Sequence, residues 1–234
     1  MGRVVTSAAN IGRIALFRDL TESQRATLAG RCRWNEIVAG HGIIGHDDET
    51  REVFLIASGR VRAKRFSAAG REVSYVDIGE GEVTGEFSAV DGKPRASAVV
   101  ALTDCLVGHM PAEVFLAAVG EHPALARRLI ESLVAKARRM SDRIFEFSAL
   151  AARGRIHAEL LRLADEAGVA DDRAAIGPAP THYEIAARIS SHREAVTREL
   201  NDLEADGLIE LGRGRIVVKS VAGLRARLDA ALAY

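Results

Sequence analysis

Between Trp34 and Met110 the chain is punctuated by glycine at intervals that leave room only for short strands, and after Pro111 the period becomes helical. Val53-Phe54-Leu55-Ile56, Val73-Ser74-Tyr75-Val76 and Ala98-Val99-Val100-Ala101 are strand-like, with Gly59, Gly70, Gly79, Gly81, Gly85 and Gly92 around them. Glycine reaches positive φ at little steric cost and so marks turns. Many short strands with evenly spaced turns predict a small β-sandwich or barrel.

Past that region, Pro111 suits a first helical position, and Pro123 opens a second helix after a break at Gly120. Ile130, Leu133, Ala137, Met140, Ile144, Phe147 and Ala151 then recur at alternating spacings of 3 and 4, with Lys136, Arg138, Arg139 and Arg143 around them. So narrow a heptad seam suits pairing with one other helix, as in a dimer; burial within the domain is the alternative. Beyond it lie an amphipathic helix with Ile156, Leu160, Leu161 and Leu163, and a loop holding Gly168, Asp171, Asp172, Gly177, Pro178 and Pro180. Two helices close together and a hairpin from Leu208 to Val218 follow, the hairpin turning at Gly212-Arg213-Gly214. The predicted division is 1–122 (strand-rich, with short flanking helices), 123–150 (long helix) and 151–234.

A chain of 234 residues can hold two modest domains, each with its own core. Hydrophobic residues make up 48% and charged residues 27%, which fits a soluble globular protein. Cys32 and Cys105 are too few for a disulfide framework or a cysteine-rich metal site and point to a reducing compartment. No run approaches the ~20 apolar residues of a membrane span, and the N-terminus lacks the apolar core of a secretory signal. A cytoplasmic location without membrane contact is expected. With 32 basic and 32 acidic residues, any affinity for nucleic acid must come from local charge.

Local charge is present near the C-terminus. Thr181-His182-Tyr183-Glu184 and Ser191-His192-Arg193-Glu194 both fit the capping box, so each predicts a helix start. Two helices joined by so tight a turn, the second running to Gly207, read as a helix-turn-helix. The first turns of its second helix would meet base edges in a major groove. Arg193 and Arg198 offer forks for guanine, and Glu194 can accept from a cytosine amino group. Thr181, Ser191 and Thr197 are candidates for phosphate contacts, and Arg213 and Arg215 suit a wing on the DNA backbone. The alternative is a solvated helix face with Glu194 as a cap and Glu194–Arg198 as an i,i+4 pair.

The most specific stretch is Gly85-Glu86-Phe87-Ser88 followed by Pro94-Arg95-Ala96-Ser97. A glycine that frees backbone N–H groups, a carboxylate, and an arginine nine residues later suit a ligand with one phosphate and one sugar hydroxyl. Spacing alone also allows a surface hairpin with an incidental salt bridge. The segment resembles the phosphate-binding cassette of cyclic-nucleotide-binding domains, matching at all eight of those residues. With the Arg193, Glu194, Val196 and Arg198 pattern behind it, nearly the whole chain resembles the CRP/FNR family of bacterial regulators.

That resemblance implies an α+β fold: an N-terminal double-stranded β-helix (a jelly-roll-like cyclic-nucleotide-binding domain), a long dimerisation helix and a C-terminal winged helix-turn-helix. It implies Arg95 on the phosphate, Glu86 on the ribose, and backbone N–H groups near Gly85 to Phe87 and Ala96 to Ser97 around them. Ser88, Ala63 and Ile78 would complete the lining, with Met140 and Ser141 near the base. Ala96 is typical of cAMP sites, where threonine favours cGMP. The common pair at Met140 and Ser141 is Thr-Ser, so Met140 departs from it and leaves the choice of purine, and strict dependence on cAMP, open. The implied partners are a palindromic double-stranded DNA with TGTGA-like half-sites, a second copy of the chain and RNA polymerase.

Other chemistry finds little support. His41, His46, Asp47 and Asp48 lack the spacing of ligands converging on a metal from neighbouring strands. The cysteine cluster of an iron–sulfur sensor is missing, and His109 is a weak axial ligand for haem. No nucleophile elbow, Walker loop or paired carboxylates point to an enzyme.

Overall fold

The computed structural model describes residues 8–67 and 72–233. The chain divides into two compact units, one up to Ala135 and one from Lys136 onward. The first begins with helices α1 (Ala8–Gly12) and α2 (Glu22–Ala29). Strands β1 (Arg33–Ile37), β2 (Gly42–Ile44), β3 (Val53–Ser58), β4 (Val61–Phe66), β5 (Glu72–Ile78) and β6 (Val83–Thr84) follow. Then come α3 (Glu86–Asp91), β7 (Ala98–Ala101), β8 (Cys105–Met110), α4 (Ala112–Glu121) and α5 (Pro123–Ala149), the last of which runs past Ala135 into the second unit.

The strands form two four-stranded antiparallel sheets, ordered β1-β8-β3-β6 and β2-β7-β4-β5. Strand β3 shows why its sequence is apolar without alternation. Phe54 and Ile56 join Ile44, Val61, Ala63, Ile78, Val99 and Val107 in one buried cluster, while Val53, Leu55 and Ala57 join Trp34, Ile11, Phe17, Phe115, Leu125 and Leu129 in another. Successive side chains point to opposite faces, and both faces are covered.

The helical boundaries differ from the sequence expectation in three places. Pro111 is the N-cap of α4 and not its first residue. Gly120 lies inside α4, and the break falls at His122, whose extended backbone (φ −124°, ψ 96°) follows from the proline after it. Ala151 lies beyond α5 and caps α6. Along α5, Leu125 and Leu129 are buried and Leu133 packs against the same core, whereas Ile130, Val134, Met140, Ile144, Phe145 and Phe147 are exposed. The exposed apolar stripe therefore gains Val134 and Phe145 and loses Leu133.

The second unit adds α6 (Ala152–Ala167), β9 (Ala174–Ile176), α7 (His182–Arg188), α8 (Arg193–Ala205), β10 (Ile209–Gly212), β11 (Arg215–Val218) and α9 (Val221–Leu232). Its three strands run antiparallel in the order β10-β11-β9. Helix α8 stops at Gly207 (φ +72°), where the Leu208 N–H donates to the Leu203 carbonyl and that of Gly207 to Glu204, both at 2.9 Å. These two bonds are the Schellman closure. Ile156, Leu160, Ile185, Val196, Leu200, Leu203, Ile209 and Val218 fill the core.

A charged cluster is buried in the same unit. The Glu159 carboxylate, on α6, accepts from Arg188 at the end of α7 (2.9 Å), from Arg143 on α5 (3.1 Å) and from Arg162. Arg162 also donates to Glu146 at 2.6 Å. Burial alone pushes the Glu159 carboxyl up. The guanidinium groups of Arg143, Arg162 and Arg188 outweigh it and hold the group below the usual carboxylate range.

Candidate nucleotide cassette and nucleic-acid interface

Gly85 sits at φ +85° as the N-cap of α3. A Cβ there would stand 2.6 Å from Arg95 Nη1 and 2.9 Å from the Glu52 carbonyl, so only glycine fits. Arg95 is 2% exposed. Its Nη1 donates to the Gly85 carbonyl (3.0 Å), Nη2 to the Glu52 carbonyl (2.8 Å) and Nε to Thr50 Oγ1 (3.1 Å). Burial lowers its pKa, which Glu52, Asp48 and Glu86 oppose. Arginine carries five N–H donors, so its bonds to the described residues leave one on each terminal nitrogen, and a pair of such N–H groups is what a phosphate takes from a guanidinium.

Glu86, the first residue of α3, is buried and near enough to act on the charge of this arginine; Ser88 is buried too, Phe87 and Ala96 are exposed and Ser97 is half-buried. Ala63 and Ile78 lie among the buried apolar side chains of β4 and β5. The structure thus brings together Gly85, Glu86 and Arg95. Met140 and Ser141 are exposed on α5. Thr50 and Glu52 were not foreseen, because nothing in their spacing ties them to the cassette. His109 packs edge-on against Phe54 with Nε2 3.2 Å from Asn35 Nδ2, and burial lowers its pKa.

In the second unit the Thr181 hydroxyl accepts from the Glu184 N–H (3.2 Å), and the Thr181 N–H donates to Glu184 Oε2 (2.8 Å), the predicted capping box. The second expected box is not formed. His192, not Ser191, is the N-cap of α8, and the Ser191 N–H closes the turn by donating to the Ala186 carbonyl at 2.9 Å. Ser190 occupies a left-handed position, φ +50°. The N-cap position thereby falls to His192, whose side chain makes no capping hydrogen bond.

Val196, Leu200 and Leu203 anchor α8, and Arg193, Glu194, Thr197, Arg198, Asn201 and Asp202 line its open face. Asn201 and Asp202 extend the expected set; Asn201 lies one helical turn beyond Thr197. Among the described residues Glu194 and Arg198 form no ion pair with each other. Thr197 Oγ1 donates to the Arg193 carbonyl (3.0 Å) and lies 2.8 Å from His182 Nδ1. On the inner side of α8, buried Glu199 meets His157 Nε2 (2.6 Å) and Arg153 Nε (2.8 Å). Arg213 forms the hairpin turn and Arg215 opens β11, both exposed.

An arginine-bearing cassette on a β-roll, with a winged helix-turn-helix behind it, defines a DNA-binding regulator with a nucleotide-sensing domain. Residues 34–122 match the cyclic nucleotide-binding domain and residues 154–227 the Crp-like helix-turn-helix domain. The chain is 32% identical over 188 residues to the cyclic AMP receptor protein of Thermus thermophilus, covering 78% of this chain and 82% of that protein. It is 24% identical over 218 residues to a CRP-like cAMP-activated global transcriptional regulator of Mycobacterium tuberculosis, covering 93% and 97%. Among solved structures, a CRP-family transcriptional regulator of Thermus thermophilus aligns with TM-score 0.69 at 26% identity, covering 85% of this chain and 98% of that one. The chain belongs to the CRP/FNR family of transcriptional regulators. No helix among the described residues is long and apolar enough to cross a membrane.

Proposed function

We propose that the protein is a homodimer that takes up a cyclic nucleotide, cAMP in preference to cGMP, and binds palindromic TGTGA-like sites where it meets RNA polymerase. The observation that carries the ligand half is Arg95, buried against Gly85 and Glu86 with two N–H donors left. Arg95 would hold the phosphate and Glu86 a ribose hydroxyl, with Ser88, Phe87, Ala96 and Ser97 around them. Ala63 and Ile78 would line the roll, and Met140 and Ser141 would approach the base. Ala96 supports cAMP, as do the names of the relatives.

The exposed stripe of α5 supports pairing with a second copy, since so much contiguous apolar surface on one helix is costly in water. Arg193, Glu194 and Arg198 would read bases, and Thr181, Ser191, Arg213 and Arg215 would hold the backbone. Residues 1–122, 123–150 and 151–234 would then sense, pair and bind DNA. The nucleotide acts by binding the DNA-competent arrangement better than the other.

Calorimetric titration with cAMP and cGMP, combined with salt-dependent mobility shifts of palindromic DNA, tests this. Tighter cAMP binding, lost in Arg95→Ala, and a cAMP-enhanced shift are expected. Unchanged nucleotide binding in that variant overturns the cassette assignment. A second reading, DNA binding that ignores the nucleotide, is favoured by the three protein acceptors already on Arg95 and by Met140. It predicts the same shift with and without cAMP.

A further inference from the structure

We propose that Thr197 reads the 5-methyl group of a thymine, and that His182 is the positioning residue that holds Thr197 in the reading conformation. The inference rests on α8 entering a major groove. A threonine hydroxyl carries one proton. Oγ1 lies 3.0 Å from the Arg193 carbonyl, which can only accept, so the proton is spent there. The 2.8 Å contact with His182 then runs from Nδ1–H to Oγ1. The Nδ1–H tautomer of His182 satisfies this contact while the hydroxyl proton stays on the Arg193 carbonyl.

With its hydroxyl engaged on both sides, Thr197 has no proton to offer a phosphate or a base. Yet it lines the open face of α8 among Arg193, Glu194, Arg198 and Asn201. Beyond the second lone pair of Oγ1, what it retains for a partner is its γ-methyl, an apolar group set among polar ones. The thymine methyl is the one apolar group on the major-groove edges of the bases, and a threonine methyl is a fitting contact for it. His182 belongs to α7, so the reading conformation is imposed from the other helix of the motif.

A palindromic site selected from a random library with the intact protein allows a direct test. Each thymine is replaced in both half-sites by deoxyuridine, which removes only the methyl. Burial of one methyl group predicts a loss of roughly 4-fold per half-site, or roughly 15-fold per palindrome, at one thymine position. Thr197→Ser keeps the hydroxyl and should bind thymine and uracil equally there. His182→Ala should weaken the discrimination. His182→Asn, with an amide N–H near the Nδ1 position, should restore it, and His182→Gln, which mimics Nε2, should not. Circular dichroism melts confirm that each variant is folded.

If no thymine is sensitive, if Thr197→Ser still discriminates, or if Gln rescues where Asn does not, the proposal fails, the last result making His182 a direct DNA contact. Failure to select any site from the library would instead strike the DNA-binding reading itself.

Discussion

Glu159→Gln tests the buried cluster most directly. Three guanidinium groups converge on this carboxylate, which is 1% exposed. A unit-charge pair about 4 Å apart interacts by roughly 4 kcal/mol at an effective dielectric constant of ~20, so three pairs give roughly 12 kcal/mol gross. Desolvation of the ions offsets most of this. Removing the carboxylate takes the shared acceptor from three buried or half-buried cations, with Glu146 still facing Arg143 and Arg162. The cost therefore falls at the lower end of the range for a broken buried pair, about 3–5 kcal/mol. For a unit of about 100 residues, a loss of about 3 kcal/mol lowers the midpoint of unfolding by roughly 12–24 °C. Scanning calorimetry should show the transition of the second unit moving by that amount while that of the first stays in place.

The acid limb gives an independent reading. A carboxyl held below its ordinary value of 4.5 stabilises the fold above that pH, and the contribution is lost as pH falls through the depressed value. The variant should lack that part of the acid destabilisation. A midpoint shift under about 2 °C, or equal shifts in both units, would refute the reasoning.

Ser190→Gly should stabilise the second unit by about 0.5–1 kcal/mol, because the left-handed φ of +50° strains a serine more than glycine's extra chain entropy costs. A lowered melting point would count against the strain. His157 is buried, and burial holds its pKa below 6.5 despite Glu199, with Arg153 and Arg227 also facing it. The unfolded chain therefore takes up the proton first: stability from this group is complete above about pH 6.5 and declines as pH falls toward the folded value. Melts between pH 7 and 5 should show this slope in the wild type and lose it in His157→Gln; an unchanged slope places the titration elsewhere. Ile144→Asp, at an exposed apolar position of α5, should weaken dimerisation by at least tenfold in sedimentation equilibrium, and an unaltered association constant would move the interface off this stripe.

The fold was largely legible because each half carries its own period. Glycine-bounded apolar runs became β3, β5 and β7, and the long helix begins at Pro123 as its fixed φ favours. Gly85 and Arg95, ten positions apart, are brought together as expected, because the missing Cβ of Gly85 leaves room for the guanidinium. Ser191 was misread because a capping box is a local pattern, and the backbone turn at Ser190 overrides it. Glu159 and Glu199 escaped notice although each lies on the apolar face of its helix, Glu159 three residues after Ile156 and Glu199 three after Val196. A charge in that register signals a buried partner, but Arg188 for Glu159 and Arg153 and His157 for Glu199 lie too far along the chain for local spacing to name them.

The three hydrogen bonds of Arg95 to Thr50, Glu52 and Gly85 bear on how such a chain evolves. The guanidinium ties the segment leading into β3 to the turn before α3 through groups of the protein itself. A lineage that ceased to use its nucleotide would still lose stability by discarding this arginine, since the Glu52 carbonyl would lose the donor that Arg95 supplies. Selection for folding alone can therefore preserve the residues that mark a sensor, long after the sensing has gone.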